Sequence, residues 1–236
     1  LDDEGIYHWW VIDLNGKLID LTSEQYTSTG RTPPHDAGTK ASILGFDYRK
    51  RVNELAERVS KEVNSDLGIL AAQKALAAAQ IDPEQLDYII FAHNFGDVRF
   101  ASNHLDMLPA LAARVKHALG IANPNCVAYD MLFGCPGWIE GVLQANAFIK
   151  SGMAKRCLVI GAETLSRVVD PHDRDSMIYS DGAGATIIEA SDDATGLLSY
   201  ESATYALDEA GYLFFGKSYN PALNEDTRYI KMYGRK

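Results

Sequence analysis

Cysteine is scarce in this chain: three residues in 236, an odd number, with no C-x-x-C pair. That excludes a disulfide framework and a zinc site built on paired thiols. Each cysteine is therefore read singly, and a reducing, cytoplasmic setting is the expectation. Positive charge is also short. Lys and Arg total 22 against 32 Asp and Glu, a formal net charge of −10, which argues against non-specific nucleic-acid binding. No apolar run approaches the roughly 18 residues that a membrane-spanning helix needs. The opening LDDEGIYHWW lacks the basic stretch and apolar segment of a secretory leader. Internal repeats and low-complexity tracts are absent too. What remains is an ordinary globular balance, 47% hydrophobic and 23% charged, with enough apolar surface for a large core.

Residues 1–50 read as an irregular N-terminal segment containing a hairpin. YHWWVIDLNGKLIDL holds two short strands around Asn15-Gly16, a hairpin-turn dipeptide. Residues 27–45, rich in Thr, Pro and Gly, read as a surface loop. From residue 51 to 236 the signals sharpen. Asn64, Ser65 and Asp66 cap a helix with Leu67, Leu70, Ala71, Ala75 and Ala78 on its apolar face. YIIFA is a buried strand, and residues 105–119 are a helix closed by Gly120. CVAYD, CLVIGAE, AGATIIEA and GLLSYESATY are further strands, with a helix between the first two. Strands alternating with helices, then strands in succession, predict an α/β fold with a mixed, mostly parallel sheet flanked by helices.

The chemistry concentrates in YDMLFGCPGWIEGVLQANAFIKSG. A strand ends at Asp130, a glycine-bearing turn carries Cys135, and a helix begins at Pro136, whose fixed φ suits a first turn. A thiol at a helix N-terminus meets free N–H groups and a dipole that favour its ionised form. Backbone N–H groups there also suit an oxyanion on an attacked thioester. A core role is the plainer reading of a lone cysteine, and Cys126 and Cys157, inside strands, are read so. His93-Asn94, just after a strand, reads as a turn pair bonded to backbone, with approach to a site at the carboxyl edge of the sheet as the functional alternative. Arg49, Lys50, Arg51, Arg58 and Lys61 read as a solvated helix face, with steering of an acidic partner as the functional alternative. No metal site is expected.

In order and spacing, SDLGILAAQKALAAAQIDPEQLDYIIFA, AYDMLFGCPGW, KRCLVIGAETLSRVVDP and DRDSMIYSDGAGATIIEA resemble the N-terminal half of the ketoacyl-ACP synthase III family, in the thiolase superfamily. The resemblance implies a thiolase-like layered fold, one half of an αβαβα architecture. It implies a 3-oxoacyl-ACP synthase III-type acyltransferase of fatty-acid or related lipid metabolism. Cys135 would take an acyl group as a thioester and then condense it with a malonyl thioester by decarboxylative Claisen chemistry. No cofactor is implied beyond CoA or carrier-protein phosphopantetheine thioesters as substrates. The implied partners are acyl-CoA or acyl carrier protein and a second copy in a homodimer, with no nucleic acid and no membrane. By the same resemblance Arg174 packs on the adenine of CoA, Leu165 lines the acyl pocket, and Ile178 and Tyr179 lie near the pantetheine tunnel. Phe100 or Met107 reaches across the dimer. DGAGA matches the family's glycine-rich turn beside the site. It is no dinucleotide fingerprint, because a third glycine is lacking and a strand follows.

Two departures accompany the resemblance. The family's second half, with the His and Asn that promote decarboxylation, has no counterpart here. The expectation is a fragment cut in the segment YIKMYGRK, exposing a sheet face that the second half covers. Near the N-terminus, Thr39 and Ile43 stand where the family's CoA-clamping Trp and Arg are expected, with Trp9 and Trp10 as substitutes, which favours a carrier-protein donor. Two other functions stay open: a non-catalytic thiolase-fold partner subunit, and another thiolase-superfamily enzyme such as a hydroxymethylglutaryl-CoA synthase-like protein.

Overall fold

The computed structural model describes residues 10–12, 18–20, 57, 61–100, 102, 104–192, 196–222 and 226–233. It divides into two units, Leu1–Asn53 and Glu54–Lys236. In the first, β1 (Trp10–Ile12) and β2 (Leu18–Asp20) pair antiparallel, with Trp10 opposite Asp20. The expectations on Asn15-Gly16, the loop 27–45, Trp9, Thr39, Ile43, Arg49, Lys50, Arg51 and Arg58 lie outside the described residues.

The second unit is built on a four-stranded sheet. Its elements are α1 (Asn64–Ala79), β3 (Tyr88–Ala92), the short strands β4 (Asp97–Val98) and β5 (Leu105–Asp106), α2 (Leu111–Ala118), β6 (Val127–Met131), α3 (Gly137–Lys150), β7 (Arg156–Thr164), β8 (Asp181–Glu189), β9 (Leu213–Gly216) and β10 (Tyr229–Met232). The sheet order is β6-β3-β7-β8. β3 is parallel to both neighbours, Tyr88 lying opposite Val127 and Cys157. β8 returns antiparallel along all of β7, from Arg156 opposite Glu189 to Thr164 opposite Asp181. β9 and β10 form a separate antiparallel hairpin.

Helices cover both faces of the sheet. Ile89 and Phe91 of β3 pack with Ala72 and Leu76 of α1 and with Leu111, Ala112 and Val115 of α2. Ile90 and Ala92 point the other way, to Ala145 of α3 with Cys157 and Val159. Burial on both sides explains why YIIFA is apolar throughout instead of alternating. Each fully buried Ile or Phe contributes roughly 1.5–3 kcal/mol, so this one strand anchors both layers.

Three expectations are corrected. The sheet-facing side of α1 is Gly68, Ala72 and Leu76, while Leu70 stands 43% exposed. A Cβ on Gly68 would lie 2.3 Å from Cε2 of the buried Phe91 ring, so the smallest residue, not a leucine, must face the strand. The second helix begins at Leu111 rather than near residue 105. Leu105 and Asp106 instead pair with Val98 and Asp97. Pro109 explains this, because the residue before a proline is pushed out of the helical region. GLLSYESATY forms no strand. Residues 197–206 are exposed throughout, and no neighbouring strand among the described residues takes up their backbone groups.

Candidate active site

The turn between β6 and α3 is shaped by glycine. Gly134 has φ +77°, a left-handed conformation that costs other residues energy, and its carbonyl accepts the Gly137 N–H at 3.1 Å. Pro136 is the N-cap of α3, one residue outside the position expected for it. The first turn of α3 is pressed against the sheet. A Cβ on Gly137 would sit 3.0 Å from Cβ of Ala92, and one on Gly161 would sit 2.9 Å from Cβ of Trp138. This packing brings Cys135, which is exposed, over the carboxyl ends of β3 and β7, where sites gather in α/β sheets.

A cavity of about 390 Å³ opens there. Cys135, Trp138, Glu163 and Leu165 line it, with Ala92, Asn94 and the β8 residues Gly182 to Gly184. The small residues of DGAGA thus form one wall. Asp181 holds that wall in place, its carboxylate accepting the Ser166 N–H at 2.8 Å and the Ser166 hydroxyl at 2.6 Å.

Buried His93 and the half-buried carboxylates of Asp130 and Glu163 order the rim. His93 accepts the Gly96 N–H at Nδ1, at 3.0 Å, so its proton lies on Nε2 and is donated to Asp130 Oδ2, also at 3.0 Å. The Asp130 carboxylate further accepts the Leu111 and Ala112 N–H groups at 2.7 and 2.8 Å. Burial would raise this carboxyl, but His93 and the two α2 amides outweigh it and bring it below the usual range. Nδ1 of His93 bonds backbone, as expected for a turn residue, but Nε2 bonds the Asp130 side chain, and His93 and Asn94 both line the cavity with Cys135.

Glu163 accepts the Asn94 backbone and side-chain N–H groups at 2.7 and 2.9 Å, with Asn64 Nδ2 at 3.4 Å from its other oxygen. Burial pushes its carboxyl up, and these donors offset the effect only in part. Sequence reasoning assigned Glu163 no role. The available signal was a carboxylate ending an otherwise apolar strand, CLVIGAE.

Of the residues expected at the site, Leu165 meets Cys135 in the cavity, and Tyr179 adjoins it through Ser180, which is part of the lining. The others are elsewhere. Phe100, 61% exposed, lines a second cavity of about 650 Å³ beside Asp97 and Arg114, with the Arg167 guanidinium 5.7 Å from its ring centre. Ile178 is 69% exposed. Arg174 is also exposed, its Nε 3.9 Å from Asp175 Oδ1. Lys61 pairs with Glu57 on the surface. Among the described residues there is no cluster of three metal-ligating side chains, and no helix is long and apolar enough to cross a membrane.

The sequence profile of the 3-oxoacyl-[acyl-carrier-protein (ACP)] synthase III family matches residues 129–206. A beta-ketoacyl-[acyl-carrier-protein] synthase III of Neisseria meningitidis is 46% identical over 132 residues, 56% of this chain and 38% of that protein. The protein of the same name from Erythrobacter litoralis is 35% identical over 175 residues, 74% of this chain and 51% of the relative. Among solved structures, the 3-oxoacyl-[acyl-carrier-protein] synthase III of Aquifex aeolicus aligns at 32% identity with a TM-score of 0.58, over 74% of this chain and 51% of the other. The Thermus thermophilus enzyme aligns at 30% identity and 0.59, over 74% and 52%. The chain therefore spans about half the length, or less, of the relatives it matches.

Proposed function

Taking as premise that this chain belongs to the 3-oxoacyl-[acyl-carrier-protein] synthase III family, we propose that it carries the acyl-accepting half of a ketoacyl synthase-type acyltransferase. One observation carries the reading: Cys135 is exposed at the head of α3 and opens onto a cavity floored by the ends of β3 and β7. The Cys135 thiolate attacks the carbonyl of an acyl thioester. A carbon–sulfur bond forms to Cys135, and the bond to the carrier sulfur breaks to release the carrier thiol. A malonyl thioester then loses CO₂, and its carbanion attacks the acyl-cysteine. The new carbon–carbon bond displaces the Cys135 thiolate. One thioester exchange and one carbon–carbon condensation replace a single difficult step.

The glycine wall at Gly182 to Gly184 lets an acyl thioester approach closely, and Leu165 and Trp138 offer it apolar surface. The donor we assign is an acyl carrier protein or CoA thioester, with no further cofactor. Arg174 and Ile178, on the surface beyond the cavity, suit the carrier end of such a substrate. Phe100 suits the subunit contact of a homodimer. The working compartment we assign is the cytoplasm.

The test is direct. The protein is incubated with mass-tagged acyl-CoA and, separately, acyl carrier protein, and its peptides are mapped. A single adduct on the Cys135 peptide, abolished in Cys135→Ala, is the expected outcome. If Cys135→Ser leaves unchanged the malonyl turnover of the complex this chain forms with an active synthase, the chain is a non-catalytic subunit, and the reading fails.

A further inference from the structure

Glu163 is a carboxylate inside the cavity that the proposed chemistry leaves unused. It lies two residues on from Gly161 along β7, on the face where Trp138 packs and where the head of α3 brings Cys135. Glu163 and Cys135 line the same cavity of about 390 Å³. The Glu163 oxygens accept from three N–H groups of Asn94 and Asn64, at 2.7, 2.9 and 3.4 Å. All three partners are donors, as suits an ionised carboxylate. No lysine or arginine is among the residues that line the cavity. His93, also in the lining, engages the Gly96 N–H through Nδ1 and Asp130 through Nε2. The cavity thus holds a fixed carboxylate with no lysine or arginine to answer it.

An acyl group on Cys135 projects into this cavity while its carbonyl stays at the sulfur. The second substrate then meets a cavity already filled and stays on the carrier side. We infer that Glu163 sets which acyl groups Cys135 accepts: neutral chains enter, and chains that carry a carboxylate, malonyl among them, are turned away by like charge. Partial burial strengthens the effect, because like charges repel more where water is excluded. The consequence is a fixed order of loading. The acyl donor and the malonyl thioester do not exchange roles, since only the first passes its acyl group to the sulfur. Glu163 selects and takes no part in bond making or breaking.

The inference rests on Cys135 being the acyl-accepting residue, but its first test needs no acyl substrate. Iodoacetamide and iodoacetate differ by an amide in place of a carboxylate, and each alkylates the sulfur with loss of iodide. Both consume the same thiolate, so its ionised fraction cancels from the ratio of their rates. Followed by peptide mass in the intact protein, the amide-to-carboxylate ratio at Cys135 is expected to exceed that of free mercaptoethanol about tenfold, and to fall to within about twofold of it in Glu163→Gln. A wild-type ratio equal to that of mercaptoethanol, or one unmoved in Glu163→Gln, overturns the inference. If circular dichroism shows that Glu163→Gln does not fold, the wild-type ratio decides alone. Acyl loading supplies the second comparison. Succinamoyl-CoA is expected to acylate Cys135 about tenfold faster than succinyl-CoA, and equal rates in wild type overturn the inference. Absence of an adduct from every neutral acyl donor would defeat the synthase reading and leave the alkylation ratios intact. A neutral acyl adduct with unmoved ratios would defeat only the role of Glu163.

Discussion

Lys231 shows what a single side chain can hold. It is 2% exposed, with its ammonium 2.5 Å from Asp170 and 3.1 Å from Asp173, and 3.7 Å from the centre of the Tyr219 ring. Asp170 also accepts from Ser218 and from the Tyr219 and His172 backbones. One buried cation thus ties β10 and the residues after β9 to the segment that leads to Arg174. Removing one partner of such a pair leaves an uncompensated charge. Lys231→Ala is expected to cost about 3–5 kcal/mol in equilibrium urea unfolding, and a result under about 1 kcal/mol would show the pair to be idle. The pair also predicts a pH dependence. Burial alone would raise the Asp170 carboxyl, but Lys231 and the other donors lower it from 3.8 to about 2. Because the folded value is the depressed one, the stabilisation, roughly 2 kcal/mol, is present above about pH 4 and lost as pH falls from there to about 2. Unfolding midpoints measured across that window should fall in the parent and fall less in a Lys231→Met variant.

At the scale of elements, the strands of the four-stranded sheet are legible in the sequence, while the short strands β4, β5, β9 and β10 and the faces of the helices are not. YIIFA is legible to the residue and CLVIGAE nearly so, because buried strands announce themselves as short apolar runs, and AGATIIEA is legible by its apolar residues although none of the strand is buried. The turn at Cys135 was legible from Gly134 and Pro136 alone. The orientation of α1 was not, since alanine lies on several sides of that helix and the deciding contact, Gly68 against Phe91, joins residues far apart in sequence. Glu163 was missed for the same reason: Asn94 and Asn64, which make it a feature of the cavity, come from other elements. Gly68 also gives a prediction. Alanine in mid-helix ordinarily gains about 1 kcal/mol over glycine. Here Gly68→Ala is expected to lose roughly 1–3 kcal/mol, because the Phe91 ring must move. A higher melting temperature in the variant would show that α1 does not lie this close to β3.

For the molecule as a whole, apolar surface is unevenly spent. The stretch after β8 leaves Leu198 91% and Leu207 94% exposed, while the sheet interior is closed to solvent. A double Leu198→Ser, Leu207→Ser variant is expected to change unfolding free energy by less than about 0.5 kcal/mol; a larger loss would mean that these side chains are covered in the folded protein. The cavity has a simpler determinant. Along β8 the residues run Gly182, Ala183, Gly184, Ala185, Thr186, Ile187, Ile188, growing in bulk with distance from Cys135, and the ladder with β7 locks that gradient in frame. The strand is a wedge whose thin end forms the mouth. Sliding it by two positions along β7 would bring its thicker end towards the sulfur and narrow the opening without touching any residue that does chemistry.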